Sequence, residues 1–124
     1  MDPVTWFELP ADDTGRASEF YNRVFGWSMS EMGGGSVYAM TTESDPDTTP
    51  KGRGIINGDI SPRSKTFKAP LVAITVQDID AKVQMVKDAG GKVITPRVDH
   101  KDMGIAWALV EDTEGNTLGI MQNL

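Results

Sequence analysis

Apolar and polar positions alternate from Val4 to Leu9, which predicts a strand that Pro10 ends. The period then changes. Ala17, Phe20, Tyr21, Val24 and Phe25 recur at helical spacing, behind Asp12 or Asp13 as a cap and ahead of Gly26 as a left-handed stop. Short strands are predicted over 27–31 and 36–41, joined by Gly33-Gly34-Gly35, and another over 54–60. The polar, proline-containing stretch 42–50 reads as a mobile loop and 61–69 as a linker. The grammar then repeats. Leu71 to Val76 is a strand, Asp78 a cap, and Ile79, Val83 and Val86, with Met85 beside them, the apolar face of a helix ending at Gly90-Gly91. Strands follow over 91–95, 103–110 and 118–121, with Asp112 to Asn116 as a hairpin turn that needs positive φ at Gly115.

Asp13 and Asp78 lie 65 positions apart, and so do Gly26 and Gly91. A helix start and a helix stop recurring in phase indicate one supersecondary unit used twice. The predicted order is β-α-β-β-β, twice, in an α+β chain. At 124 residues this is one domain, with modules over 1–60 and 70–124.

Composition narrows the possibilities. There is no cysteine, so disulfides and thiolate chemistry are excluded and a cytoplasmic location is expected. The net charge of −6 argues against nucleic acid as a partner. Arg63, Lys65 and Lys68 are the only local basic cluster. The start carries no secretory pattern, and no apolar run is long enough to span a membrane.

Phe20-Tyr21-x-x-Val24-Phe25-Gly26-Trp27 after the first helix start, Val76-x-Asp78-Ile79-Asp80, Ala89-Gly90-Gly91-Lys92-Val93 and Glu111-Asp112-Thr113-Glu114-Gly115-Asn116 together resemble the vicinal oxygen chelate superfamily. That group includes glyoxalase I, bleomycin-resistance proteins, extradiol dioxygenases and methylmalonyl-CoA epimerase. The resemblance covers nearly the whole chain. It implies two βαβββ modules in a curved mixed sheet with helices on its outer face, a ligand in the concave cavity between modules, and a homodimer. It also implies metal ligands at the positions of Trp6, Leu71 and Gly119, with a fourth among 54–59, where Asn57 and Asp59 are the only side-chain oxygen donors. Indole, isobutyl and hydrogen side chains cannot ligate a divalent cation, so no metal and no cofactor is expected.

Strand parity assigns the cavity lining. Phe7 and Leu9, and Val72, Ile74 and Val76, face the helices. Trp6, Glu8, Leu71, Ala73, Thr75, Gly119 and Met121 face the ligand side, joined by Tyr38 and Asn57. Such a lining suits a flat or apolar small molecule. Glu8 is the candidate general base or acid, or else a rim carboxylate. Trp6 is either a stacking platform or filler of the space a metal would occupy. Tyr38 either orients a ligand or is plain core. His100, the only histidine, is placed on a polar loop between strands, either solvated or over the cavity mouth. No second carboxylate is expected beside Glu8. Two functions follow: sequestration of an apolar or aromatic compound without metal, as in bleomycin resistance, or a glyoxalase-related lyase or isomerase reaction using Glu8.

Overall fold

The computed structural model describes residues 1–44 and 49–124. The first module is β1 (Val4–Ala11), α1 (Thr14–Phe25), β2 (Ser28–Gly33), β3 (Ser36–Met40) and β4 (Asn57–Pro62). The second is β5 (Leu71–Thr75), α2 (Ile79–Asp88), β6 (Lys92–His100), β7 (Ile105–Glu111) and β8 (Thr117–Asn123). The βαβββ order therefore occurs twice, with helices and a mixed sheet in an α+β fold.

The chain forms two compact bodies, one of residues 6–70 and the other of residues 1–5 with 71–124. In the first, the strand order is β2-β3-β4-β1, with β1 and β4 parallel and the other pairs antiparallel. In the second it is β5-β8-β7-β6, with β5 and β8 the parallel pair. Each body buries one face of its sheet under its own helix. Phe7, Leu9, Ala17, Tyr21 and Trp27 pack on Ala11, Ala39 and Ile60 in the first. Ile74, Val83 and Val86 pack on Val76, Ile79, Ala106, Ala108, Val110 and Ile120 in the second.

Both caps are built as the sequence predicts. The Asp13 side chain accepts from Arg16 N at 2.9 Å, and Asp78 from Ala81 N at 3.0 Å. Each satisfies an orphan donor of the first turn. Gly26 closes α1 in the left-handed region at φ 75°, its N–H donating to Asn22 O. The second stop differs: α2 is capped by Ala89, and the positive φ falls on Gly90. Gly91 is required for space instead, because a Cβ there would sit 2.6 Å from Glu111 O and from Val86 Cγ1.

Other boundaries shift. Pro10 does not end β1, which runs on to Ala11 in register with Pro62, since proline is tolerated where the ladder asks no N–H of it. β4 begins at Asn57 rather than Gly54, whose φ of 71° is incompatible with a strand, and continues past Ile60 into the predicted linker. β6 is much longer than predicted: irregularities around Thr95 to Val98 absorb Pro96, and pairing continues to His100↔Ile105. His100 therefore ends a strand instead of lying on a loop. On α1 only Ala17 and Tyr21 reach the core, while Phe20, Val24 and Phe25 are exposed. Met85 is exposed on α2. The mobility expected over 42–50 concerns in part residues 45–48, which lie outside the described residues. Ser44 and Pro50, on either side, form a bridge.

Candidate functional site

The parallel register of β1 and β4 places Trp6 beside Asn57 and Glu8 beside Asp59. Antiparallel pairing of β3 sets Tyr38 opposite Asp59. Side chains alternate along a strand, and Phe7, Ile60 and Ala39 are committed to the helix side. Trp6, Glu8, Tyr38, Asn57, Asp59 and Ser61 thus share the other face of the first body's sheet.

Asp59 is the centre of this group. It is 1% exposed, and both its oxygens are engaged. Trp6 Nε1 donates to Oδ2 at 2.7 Å, and Ser61 Oγ donates to Oδ1 at 2.6 Å. Glu8 stands beside Asp59 in the parallel register, and the two carboxyls interact. Two carboxylates this close and this sheltered cannot both ionise cheaply. Burial, then the neighbouring Asp59 charge, pushes Glu8 up to about 8. Burial also raises Asp59, against the opposing hydrogen bonds from Ser61, Trp6 and Glu8. The two carboxyls thus titrate as a pair, with Glu8 held well above the ordinary glutamate range. The expectation of no second carboxylate beside Glu8 is therefore corrected. The partner lies on a strand 53 positions from Trp6 in sequence, and only the register reveals it.

The remaining predicted residues separate into two groups. Tyr38 meets the Trp6 ring edge to face, centroids 6.2 Å apart, within the first group. Asn57 is fully buried, and its amide holds the following segment: Oδ1 accepts from Thr41 N at 2.9 Å and Nδ2 donates to Ser44 Oγ at 2.5 Å. Leu71, Ala73, Gly119 and Met121 belong to the second body. There Ala73 pairs with Gly119, and Thr75 with Met121. Ala73↔Gly119 is the counterpart of Glu8↔Asp59 in the repeat, with no polar side chain. A Cβ on Gly119 would overlap the Trp107 ring, so an indole fills the space where residue 119 would project. Sequence reasoning missed Ser61 and Trp107. A signal for the first was available: Asn57, Asp59 and Ser61 are polar at alternate positions, with Gly58 and Ile60 between them.

These positions do not fit a divalent cation. The Trp6 nitrogen carries a hydrogen that Asp59 accepts. Leu71 has no donor, and Gly119 has neither a donor nor room for one. Among the described residues no three His, Asp or Glu gather to hold a metal. A separate cleft of about 640 Å³ in the second body is lined by Asp2, Asp78, Lys82, Met85 and Gln122 among others, and of the residues assigned to the ligand side only Thr75 lines it.

Known proteins share both the sequence and the fold. A mycobacterial protein named "Putative glyoxylase CFP32", from Mycobacterium tuberculosis and Mycobacterium bovis, is 32% identical over 123 residues. The match takes in 94% of this chain but only 44% of that protein, so the chain spans less than half the length of this relative. A glyoxylase-like domain-containing protein of Didymella fabae is 28% identical, covering 94% of this chain and 91% of its own. Among solved structures, a methylmalonyl-CoA epimerase in complex with methylmalonyl-CoA and NH4+ superposes with a TM-score of 0.69 at 16% identity, covering 99% of this chain and 95% of that one. A superfamily member from Vibrio splendidus 12B01 gives 0.66 at 15% identity over the full length of both. No described helix is long and apolar enough to cross a membrane. The family model matches residues 4–120, and the chain belongs to the Glyoxalase/Bleomycin resistance protein/Dioxygenase superfamily.

Proposed function

We propose that the protein binds a small carbonyl compound on the sheet face of its first module that carries Glu8 and Asp59 and moves a proton on it, in a lyase or isomerase reaction that uses no metal. The observation that carries this reading is the register that sets the half-buried Glu8 beside the buried Asp59, a pairing that pushes Glu8 up to about 8. A glutamate titrating near 8 is a stronger base than an ordinary one, and its pKa lies close to working pH, where general acid–base catalysis is most effective. In its ionised form Glu8 takes the hydrogen α to the carbonyl as a proton. The C–H electron pair becomes the enolate double bond, and the carbonyl π pair moves to oxygen. Return of the proton to carbon from Glu8 gives an isomer. Loss of a β-substituent with its bonding pair gives the lyase outcome. Tyr38, opposite Asp59, is the nearest phenol to orient the substrate. The glyoxylase name of the 32% identical relative supports a small carbonyl substrate.

Deuterium incorporation at the α-carbon tests this, followed by proton NMR in D₂O with a chelator, across a panel of α-keto and α-hydroxycarbonyl compounds. The expected result is exchange with at least one compound, cut about 100-fold or more by Glu8→Gln. A second reading rests on the edge-to-face Trp6–Tyr38 pair, which offers aromatic surface to a flat guest. There the protein sequesters an apolar or aromatic compound without turnover, as a bleomycin-resistance type. Absence of exchange, with thermal stabilisation by aromatic compounds that survives Glu8→Gln, would replace the first reading with the second.

A further inference from the structure

We infer that Trp6 and Ser61 are positioning residues that hold Asp59 as the hydrogen-bond acceptor of the pair and so leave Glu8 as its proton carrier. The inference rests on the proton-transfer reading for its purpose, and on hydrogen-bond geometry for its substance. An indole N–H is a donor with no lone pair to offer in return. At 2.7 Å from Oδ2 it commits that oxygen to accept. Ser61 Oγ occupies Oδ1 at 2.6 Å. A proton placed on Asp59 would have to compete with one of these donors. Ser61 can yield by rotating its hydroxyl and accepting instead, whereas Trp6 cannot reverse. The Trp6 ring is also held at its flank by the Tyr38 ring, at an interplanar angle of 89°. Trp6 is thus the stronger determinant and Ser61 the adjustable one.

The surroundings contain little else to divide the proton. The first body's sheet places Tyr38 opposite Asp59 from β3, and Asn57 and Ser61 beside it on β4. Asn57 is neutral and bound to Thr41 and Ser44. No Lys, Arg or His contributes to the shift of either carboxyl. The two neutral donors on Asp59, with no counterpart on Glu8 among the described residues, make the asymmetry. This assigns Trp6 a task at its nitrogen rather than on its ring face.

The test is a titration of the full chain without substrate, following the Glu8 side-chain carboxyl by carbon NMR and the Trp6 indole N–H by nitrogen–proton correlation, the latter assigned by its loss in Trp6→Phe. In the wild type, both signals should move with one common midpoint on the alkaline side of neutrality. Trp6→Phe should raise that midpoint, because the singly protonated pair gains the arrangement with its proton on Asp59, which the indole donor disfavours, whereas the doubly ionised pair gains nothing. Ser61→Ala should raise it by less, and Ser61→Thr, which keeps the hydroxyl, should restore it. Asp59→Asn should lower the Glu8 midpoint towards the ordinary glutamate range. A Glu8 midpoint unmoved by both Trp6→Phe and Ser61→Ala overturns the inference, and so does an indole signal blind to the Glu8 titration. If Trp6→Phe does not fold, the Ser61→Ala and Ser61→Thr comparison decides. The α-proton exchange assay fails or succeeds separately, so a sound titration without exchange removes the enzyme reading and leaves the proton assignment standing.

Discussion

The two modules build the same parallel ladder and put opposite things on it. In the first, β1 and β4 bring Glu8 and Asp59 side by side. In the second, β5 and β8 bring Ala73 and Gly119 to the matching place, with the Trp107 ring over the glycine. Helix starts and strand order are shared, so backbone architecture does not account for the difference. It comes from a few side chains, one set polar and hydrogen-bonded, the other apolar and filled. A repeated fold can thus concentrate its chemistry in one copy and use the other copy's equivalent positions for packing.

The largest expected effect that tests this contrast is at Gly119. Gly119→Ala should destabilise the protein by about 3 kcal/mol, the upper range for overpacking, because the new Cβ overlaps the indole. In a Trp107→Ala background the same change should be nearly neutral, and the coupling is read from a double-mutant cycle of denaturant melts. Additive effects would show that Trp107 does not occupy the space of a side chain at 119.

The next effect is pH-dependent and belongs to the first module alone. Folded Glu8 binds its proton more tightly than an ordinary glutamate, which titrates at 4.5 in the unfolded chain. Its stabilising contribution is full below about 4.5 and is lost as pH rises through about 8. The unfolding free energy should therefore fall across that window, with a slope of at most about 1.4 kcal/mol per pH unit for one proton, and the melting temperature with it. Glu8→Gln should flatten the profile. A profile with the same slope in Glu8→Gln would place the titrating group elsewhere.

The smallest effect tests what the modules share. Asp13→Ala and Asp78→Ala should each cost about 1 kcal/mol, since each removes one cap hydrogen bond of the same geometry. Markedly unequal losses in denaturant melts would mean that the matched starts are not energetically matched.

Much of this architecture is written locally in the chain. Asp13, Asp78 and Gly26 act within a turn of where they stand, and the parity of Phe7 and Leu9 against Trp6 and Glu8 follows from strand alternation alone. The family resemblance was legible in the same short pieces, and the family model bears it out. The acid pair was not legible, because it depends on which residue of β4 lies beside Glu8. Parallel register is set by packing between segments far apart in sequence. A strand start placed at Gly54 left Asn57 and Asp59 as equal candidates. Pairing then separates them: Asn57 secures Thr41 and Ser44, while Asp59 meets Glu8. The length of β6 was hidden for a similar reason, as Pro96 reads as a break until an irregular register accommodates it.

The indole lying on Gly119 also has a consequence for descent. Single-base changes can turn a glycine codon into one for aspartate or glutamate, so a carboxylate at this position is mutationally near at hand. Each such change brings a Cβ into the ring of Trp107. The order of events is therefore constrained: the tryptophan has to be replaced or displaced before an acid at 119 can be tolerated. A lineage that began with the acid would have had to lose it before, or together with, gaining the ring.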